Sequence, residues 1–154
     1  MGKWSKASRS HADYMDGGDF FSSEQSVTIE QPDTVRIEYV DAAGNATVKK
    51  ELDMLEGEIL DSMFMSAKAL RKFFEESLED AKKTGVMWSL HVKATMMKVS
   101  HPIVFGHAVT VFYNEVFEKH AETFEKLGVE PNNGLGNILN HIETLPRSLR
   151  EEIE

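Results

Sequence analysis

The sequence predicts an α/β fold: an antiparallel or mixed sheet containing a hairpin, packed against two main helices, with short helices at the C-terminal end. Three observations predict it. Residues 26–52 alternate apolar and polar side chains on both sides of a turn rich in small residues, which is the period of a half-buried strand pair. Residues 66–85 carry an apolar stripe at helical spacing between a serine and a glycine. Residues 86–120 read as a buried strand, a polar corner carrying Lys93 and Lys98, and a long helix.

The chain has 154 residues, 41% hydrophobic and 28% charged, with a formal net charge of −9 and a pI near 5.2. One sizeable core fits this length, and a second independent domain does not. Neutralising phosphates needs clustered Lys and Arg, so the acidic balance argues against nucleic acid as a partner. The absence of cysteine excludes disulfides and thiolate metal sites and agrees with a cytoplasmic location. The longest apolar run, residues 102–113, is interrupted by His107 and is too short for a membrane span. No apolar stretch follows Lys3, Lys6 and Arg9, so no secretory signal is expected. Myristoylation of Gly2 would want Ser or Thr where Lys6 stands.

Residues 1–24 show no sustained period and are expected to form an irregular arm, packed only where Trp4, Tyr14, Phe20 and Phe21 find partners. Asp13–Glu24 has the length of a calcium loop, but Met15 and Gly17 supply no side-chain oxygen where ligands are needed. A single α/β domain is expected over 25–154. It starts with a strand over 26–30, then a second over 35–40 with Val35, Ile37 and Tyr39 on one face. Residues 41–45 make a hairpin turn in which Gly44 is free to take positive φ. Ala46–Leu52 returns antiparallel, and an extended piece follows over 58–64.

Ser66 is the expected N-cap of the first main helix. Leu70, Phe73, Phe74, Leu78 and Ala81 form its apolar stripe, and Gly85 ends it in the C′ position. Val86, Trp88, Leu90 and Val92 then share one face of a strand. Ser100 caps the second main helix, with Pro102 in its first turn, where a missing N–H is harmless. That helix is expected to run to about Leu127 and to bury Val104, Ala108, Val111, Phe112, Phe117, Ala121 and Phe124, with Gly128 as its stop. A loop over 131–136 leads to a short helix with Ile138, Leu139 and Ile142. Thr144 is expected to cap a last helix, still polar and charged at Glu154, as in a helix that continues.

Motifs for chemistry are few. The six histidines include no i, i+4 pair and no Glu-x-x-His pair, so hydrogen-bonded surface histidines are expected rather than a metal site. No Gly-x-Gly-x-x-Gly, Walker or Gly-x-Ser-x-Gly element is present. Met63, Met65, Met96 and Met97 are expected to fill the core under the corner. Lys93 is different. Strand alternation puts it on the face of His91, at the C-terminal end of a strand, the edge where open α/β sheets hold ligands. A lysine there can lose its proton through desolvation and act as acid or base. Position alone leaves it either a structural or a working residue.

The stretch His91-Val-Lys-Ala-Thr-Met-Met-Lys-Val-Ser-His-Pro-Ile-Val-Phe-Gly-His-Ala108 resembles the monomeric-type NADP-dependent isocitrate dehydrogenases. So do Gly2-Lys-Trp-Ser-Lys6, Ser10-His11, Thr34-Val-Arg-Ile-Glu38, Ser66-x-Lys-Ala-Leu-Arg71 and Asn132-Asn-Gly-x-Gly136, which spread the likeness over the whole chain. The resemblance implies a segment of the family's second domain. It implies oxidative decarboxylation of isocitrate to 2-oxoglutarate, a tricarboxylic acid cycle activity, with NADP and Mg or Mn. It makes Lys93 the catalytic lysine, working with a tyrosine in proton transfer. The family's metal-binding aspartates, its substrate serine and arginines, the tyrosine and the NADP contacts match no residue here. On that resemblance the chain is expected to be inactive alone and to bind neither NADP nor the metal tightly. Its expected partner is a second copy, as a homodimer, or the remainder of the enzyme.

Overall fold

The computed structural model describes residues 3–92 and 100–154. Its elements are α1 (Phe20–Ser23), β1 (Gln25–Thr28), β2 (Asp33–Val40), β3 (Ala46–Met54), β4 (Ile59–Ser62), α2 (Ala67–Thr84), α3 (Ser100–Phe112), α4 (Asn114–Lys119), α5 (Ala121–Leu127), a 3-10 turn (Pro131–Asn133), α6 (Leu135–Ile142) and α7 (Arg147–Ile153). The fold is α/β, and the chain divides into two compact units, Asp19–Met65 and the segments Met1–Gly18 with Ser66–Glu154.

The unit Asp19–Met65 holds two antiparallel pairs instead of one larger sheet. The inner hairpin pairs β2 with β3 from Asp33↔Met54 to Val40↔Ala46, a little longer than the alternation predicts. Its turn is built by Asp41, whose carboxylate accepts from Ala43 N (2.9 Å) and Asn45 N (2.8 Å). Gly44 takes φ 87° there, as a turn of this kind requires. A bulge between Ile37 and Glu38 shifts the register, so Lys49 is squeezed out of the ladder and lies 5.5 Å over the Tyr39 ring. The outer pair joins β1 to β4, from Gln25↔Ser62 to Thr28↔Ile59. The extended piece read over 58–64 is therefore the partner of the first strand. Ser23 Oγ donates to Phe64 O at 2.7 Å and accepts from Phe64 N at 2.9 Å, closing this unit. Val27, Ile37, Tyr39, Val48 and Ile59 remain exposed.

In the other unit, α2 follows its sequence closely. Ser66 Oγ accepts from Ala69 N at 3.3 Å, and Gly85 sits in the left-handed region at φ 65°, its N–H on Ala81 O. The helix buries Leu70, Phe74, Ser77 and Ala81, while Phe73 and Leu78 are half-buried. In the arm, Trp4 and Tyr14 are exposed.

Two expectations are corrected here. The strand over 86–92 enters no ladder with another described residue, although its burial alternates as a strand's would: Val86, Trp88, Leu90 and Val92 face inward, and Met87, Ser89 and His91 outward. The long second helix is three helices. It breaks at Tyr113 and again at His120, each near φ −105 to −111° and ψ 22 to 32°, with no side-chain cap. No Gly or Pro marks either break. Tertiary packing makes them, because they bring Phe117 and Phe124 edge to face at 5.0 Å and bury His120 at 7% exposure. The change of direction leaves Phe112 and Ala121 exposed, where an unbroken helix would have buried them, and puts Val109 inside instead.

The core of this unit joins Val109, Phe124, Ile138, Ile142 and Ile153, flanked by Phe105, Phe117 and Leu149. Thr144 does not cap α7; its hydroxyl donates to His141 O at 2.7 Å and closes α6, and Pro146 stands at the N-cap position of α7. Met63 is also exposed, not packed in a core.

Candidate functional site

Lys93, the residue singled out by the sequence, lies outside the described residues, as do Lys98, Met96 and Met97. Both chain segments that lead into and out of 93–99 are described. The incoming one, Val86–Val92, starts directly behind the glycine cap of α2, where Val86 N donates to Ala81 O at 3.2 Å. Its inward residue Trp88 meets Phe74 edge to face, ring centroids 5.7 Å apart. The Trp88 indole N–H also donates to Ser77 Oγ at 2.9 Å. That bond explains a polar residue inside the buried stripe of α2, since a buried hydroxyl needs a partner. His91 points outward and is exposed.

The outgoing segment is α3, and two contacts hold it. Arg71 on α2 donates from Nη1 to Thr110 Oγ1 at 2.7 Å, and Thr110 Oγ1 donates to His107 O at 3.0 Å. His107 is half-buried beside them. Burial first, then the nearby Arg71 guanidinium, lowers its pKa below the ordinary histidine value, so the imidazole stays neutral at pH 7. On the other side, Gly106 receives Asn132 from the 3-10 turn. A Cβ built on Gly106 would lie 2.0 Å from Asn132 Oδ1, closer than atoms can approach, and 3.0 Å from Asn132 N, in tight contact. Glu130 holds that turn, its carboxylate accepting from Asn132 N at 3.1 Å.

The described residues thus make a frame: a helix, an extended segment and a second helix, pinned by Trp88–Ser77, Arg71–Thr110 and Gly106–Asn132. Composition and spacing alone single out none of these pairs. One signal was available for the last: Gly106 is a glycine inside a helix pattern, where alanine would be favoured by about 1 kcal/mol. Arg71 and Asn132 gave no such signal, although both fall within the short matches quoted above.

Among the described residues no group of three or more His, Asp or Glu is placed to hold a metal ion. His11 is tied to Arg9 O at 2.9 Å and to Asp80 at 3.2 Å, and His141 to Asn137 O at 2.7 Å. Neither Mg nor Mn fits a donor set among the described residues. No helix among them is long and apolar enough to cross a membrane.

A family model described as monomeric isocitrate dehydrogenase matches residues 1–154. The chain is 54% identical over 154 residues to "Isocitrate dehydrogenase [NADP] 2" of Mycobacterium tuberculosis, covering 99% of this chain and 21% of that protein. It is 52% identical over 155 residues to the protein of the same name from Colwellia maris, and 48% identical over 155 residues to "Isocitrate dehydrogenase [NADP]" of Azotobacter vinelandii. Each of these covers 100% of this chain and 21% of the relative. The chain therefore spans about a fifth of the length of these relatives.

Proposed function

Because the chain belongs to the monomeric isocitrate dehydrogenase family, we propose that it is the segment of an NADP-dependent isocitrate dehydrogenase that carries the catalytic lysine, Lys93. The observation that carries this reading is the match over the whole chain, with Lys93-Ala-Thr-Met-Met-Lys98 inside it. The overall reaction takes isocitrate, through loss of hydride and of CO2, to 2-oxoglutarate. Its acid–base demands suit a lysine. The substrate hydroxyl must lose a proton as hydride leaves, and the enolate formed on decarboxylation must regain one at carbon. As a neutral amine Lys93 would accept the hydroxyl proton, and the ammonium so formed would return a proton to the enolate carbon. The segment before residue 93 and the helix after residue 99 are each tied to α2, through Trp88–Ser77 and Arg71–Thr110.

The metal, NADP and most substrate contacts would come from sequence outside this chain, so the chain by itself is inactive and works in the cytoplasm only as part of a larger enzyme. Two assays test this. The purified chain mixed with isocitrate, NADP and Mg should form no NADPH; clear turnover would overturn the reading. Substituting this chain for the matching fifth of the Mycobacterium tuberculosis relative should give an active chimera, and Lys93→Met in that chimera should lower kcat by about 10²–10⁴-fold. An active Lys93→Met chimera would remove the lysine from the mechanism.

A second reading is a non-catalytic, self-associating module, most simply a homodimer. The exposed Val27, Ile37, Tyr39 and Ile59 on two-stranded ladders favour it, since such edges and faces are seldom left open to water. Sedimentation at micromolar concentration tests it, with a monomer as the contrary outcome.

A further inference from the structure

From Pro102 to Phe112, α3 carries only two polar side chains, His107 and Thr110. A helix that is apolar nearly all round can be buried on any side, because burial has no direction. Its apolar content therefore does not choose its rotation: Ala108, Val109 and Val111 are buried, while Ile103 and Phe112 stay exposed. One directional contact to α2 does. Arg71 Nη1 donates to Thr110 Oγ1 at 2.7 Å. A guanidinium can only donate, so the hydroxyl accepts there and spends its own proton on His107 O at 3.0 Å. These two bonds and the stiff χ1 of threonine fix the direction of the hydroxyl. No carboxylate among the described residues forms an ion pair with Arg71, so its guanidinium is not drawn elsewhere by an acid.

We propose that Arg71 is a positioning residue for Lys93, acting through Thr110 to set the rotation of the helix that follows residue 99. This rests on the reading of Lys93 as the catalytic lysine and names the side chain that aims it. Ser77 and Arg71 stand on the same helix, about 9 Å apart along its axis and about a third of a turn apart around it. Ser77 holds the segment ending at Val92 through Trp88, and Arg71 holds α3. Both flanks of 93–99 are thus referred to α2. Gly106 against Asn132 limits how closely α3 is approached; the Arg71 bond adds direction. The lever is sensitive. With Cα atoms about 2.3 Å from the axis, turning α3 by about 25° moves its first residue by about 1 Å. A misplacement of about 1 Å can cost about 10²-fold in rate.

The test uses the full-length chimera with the Mycobacterium tuberculosis relative. Arg71→Met removes the donor and Thr110→Val the acceptor, and each should lower kcat by about 10²-fold with KM for isocitrate little changed. Thr110→Ser keeps the hydroxyl and should keep kcat near that of the parent chimera. A pH profile separates aim from mere folding. The Lys93 amine must be neutral to take the proton, so its titration sets the acid limb of kcat. Arg71→Met and Thr110→Val should shift that limb, because the displaced amine titrates in new surroundings, and Thr110→Ser should not. In a Lys93→Met chimera, adding Arg71→Met should cost nothing further. A lower kcat with an unmoved acid limb means less folded enzyme and overturns the proposal. A raised KM at unchanged kcat makes Arg71 a substrate contact and overturns it as well, as does a further loss in the Lys93→Met background. Full kcat in Arg71→Met beside an inactive Lys93→Met overturns the positioning role alone. A fully active Lys93→Met chimera overturns the lysine reading and this proposal together.

Discussion

The Trp88 indole N–H donates to Ser77 Oγ at 2.9 Å, across the joint between α2 and the segment that leads to residue 93. Ser77 is 8% exposed, so its hydroxyl has little access to water if Trp88 withdraws. Trp88→Phe keeps the edge-to-face contact with Phe74 but orphans the hydroxyl, a loss of about 1–3 kcal/mol. Trp88→Ala also opens a cavity and should cost more, about 3–5 kcal/mol. Urea unfolding checks the order. Trp4 is 78% exposed, so a blue-shifted fluorescence component lost in both variants reports Trp88 itself.

Gly106→Ala should destabilise the protein, although alanine is the better helix former by about 1 kcal/mol. The new methyl would meet Asn132 Oδ1 at an impossible distance and Asn132 N in tight contact, and overpacking of this kind costs about 1–3 kcal/mol. Asn132→Gly in the same chain removes the side-chain part of the clash. The double variant should be more stable than the sum of the two single losses, and a double-mutant cycle by thermal unfolding measures that coupling. Strict additivity would contradict the contact.

His107 makes stability depend on pH. Its folded pKa lies below the ordinary value of 6.5, through burial first and Arg71 second. The unfolded chain therefore takes up the proton first as pH falls, and the contribution is present above pH 6.5 and lost on going below it toward the folded pKa. His107→Gln should flatten this part of the curve of unfolding midpoint against pH. Arg71→Met should raise the His107 pKa in an NMR titration, since it removes a like charge. An unmoved resonance would exclude the Arg71 contribution.

Gly85→Ala should cost about 1–2 kcal/mol, because φ 65° is costly for any residue with a Cβ. Space is not the cause: the nearest atom to a built Cβ is Arg9 Nη2, 3.8 Å away. Gly85→Asn should recover part of the loss, as asparagine tolerates the left-handed region. Equal losses for both variants, read by denaturant unfolding, would point away from backbone conformation.

How much could be read from the sequence follows the range of the forces involved. The caps and stripe of α2 and the Gly44 turn depend on neighbours a few residues away, and their residues announce them. The breaks at Tyr113 and His120 depend on Phe117 meeting Phe124 and on helices further along, and no local signal carries that. The strand pattern of 86–92 was legible as a period, but a period does not say whether a partner strand is present. For the site, Lys93 stood out by position and resemblance. Arg71, Thr110 and Asn132, which hold the flanking helix, were invisible because each acts through a residue 26 to 39 places away.

The Gly85 cap has a consequence for the order in which the molecule forms. It folds the chain back on α2 within one residue, so Trp88 reaches Ser77 and Phe74 across loops of only 11 and 14 residues. Closing loops this short takes about 10–100 ns and little entropy. The Gly106–Asn132 lock must wait for a stretch of 26 residues. During synthesis at about 5–20 residues per second, the α2–Trp88 clasp can be complete seconds before Asn132 is translated. The residues that lead to Lys93 are then seated on a preformed helix while the far side of their frame is still being made.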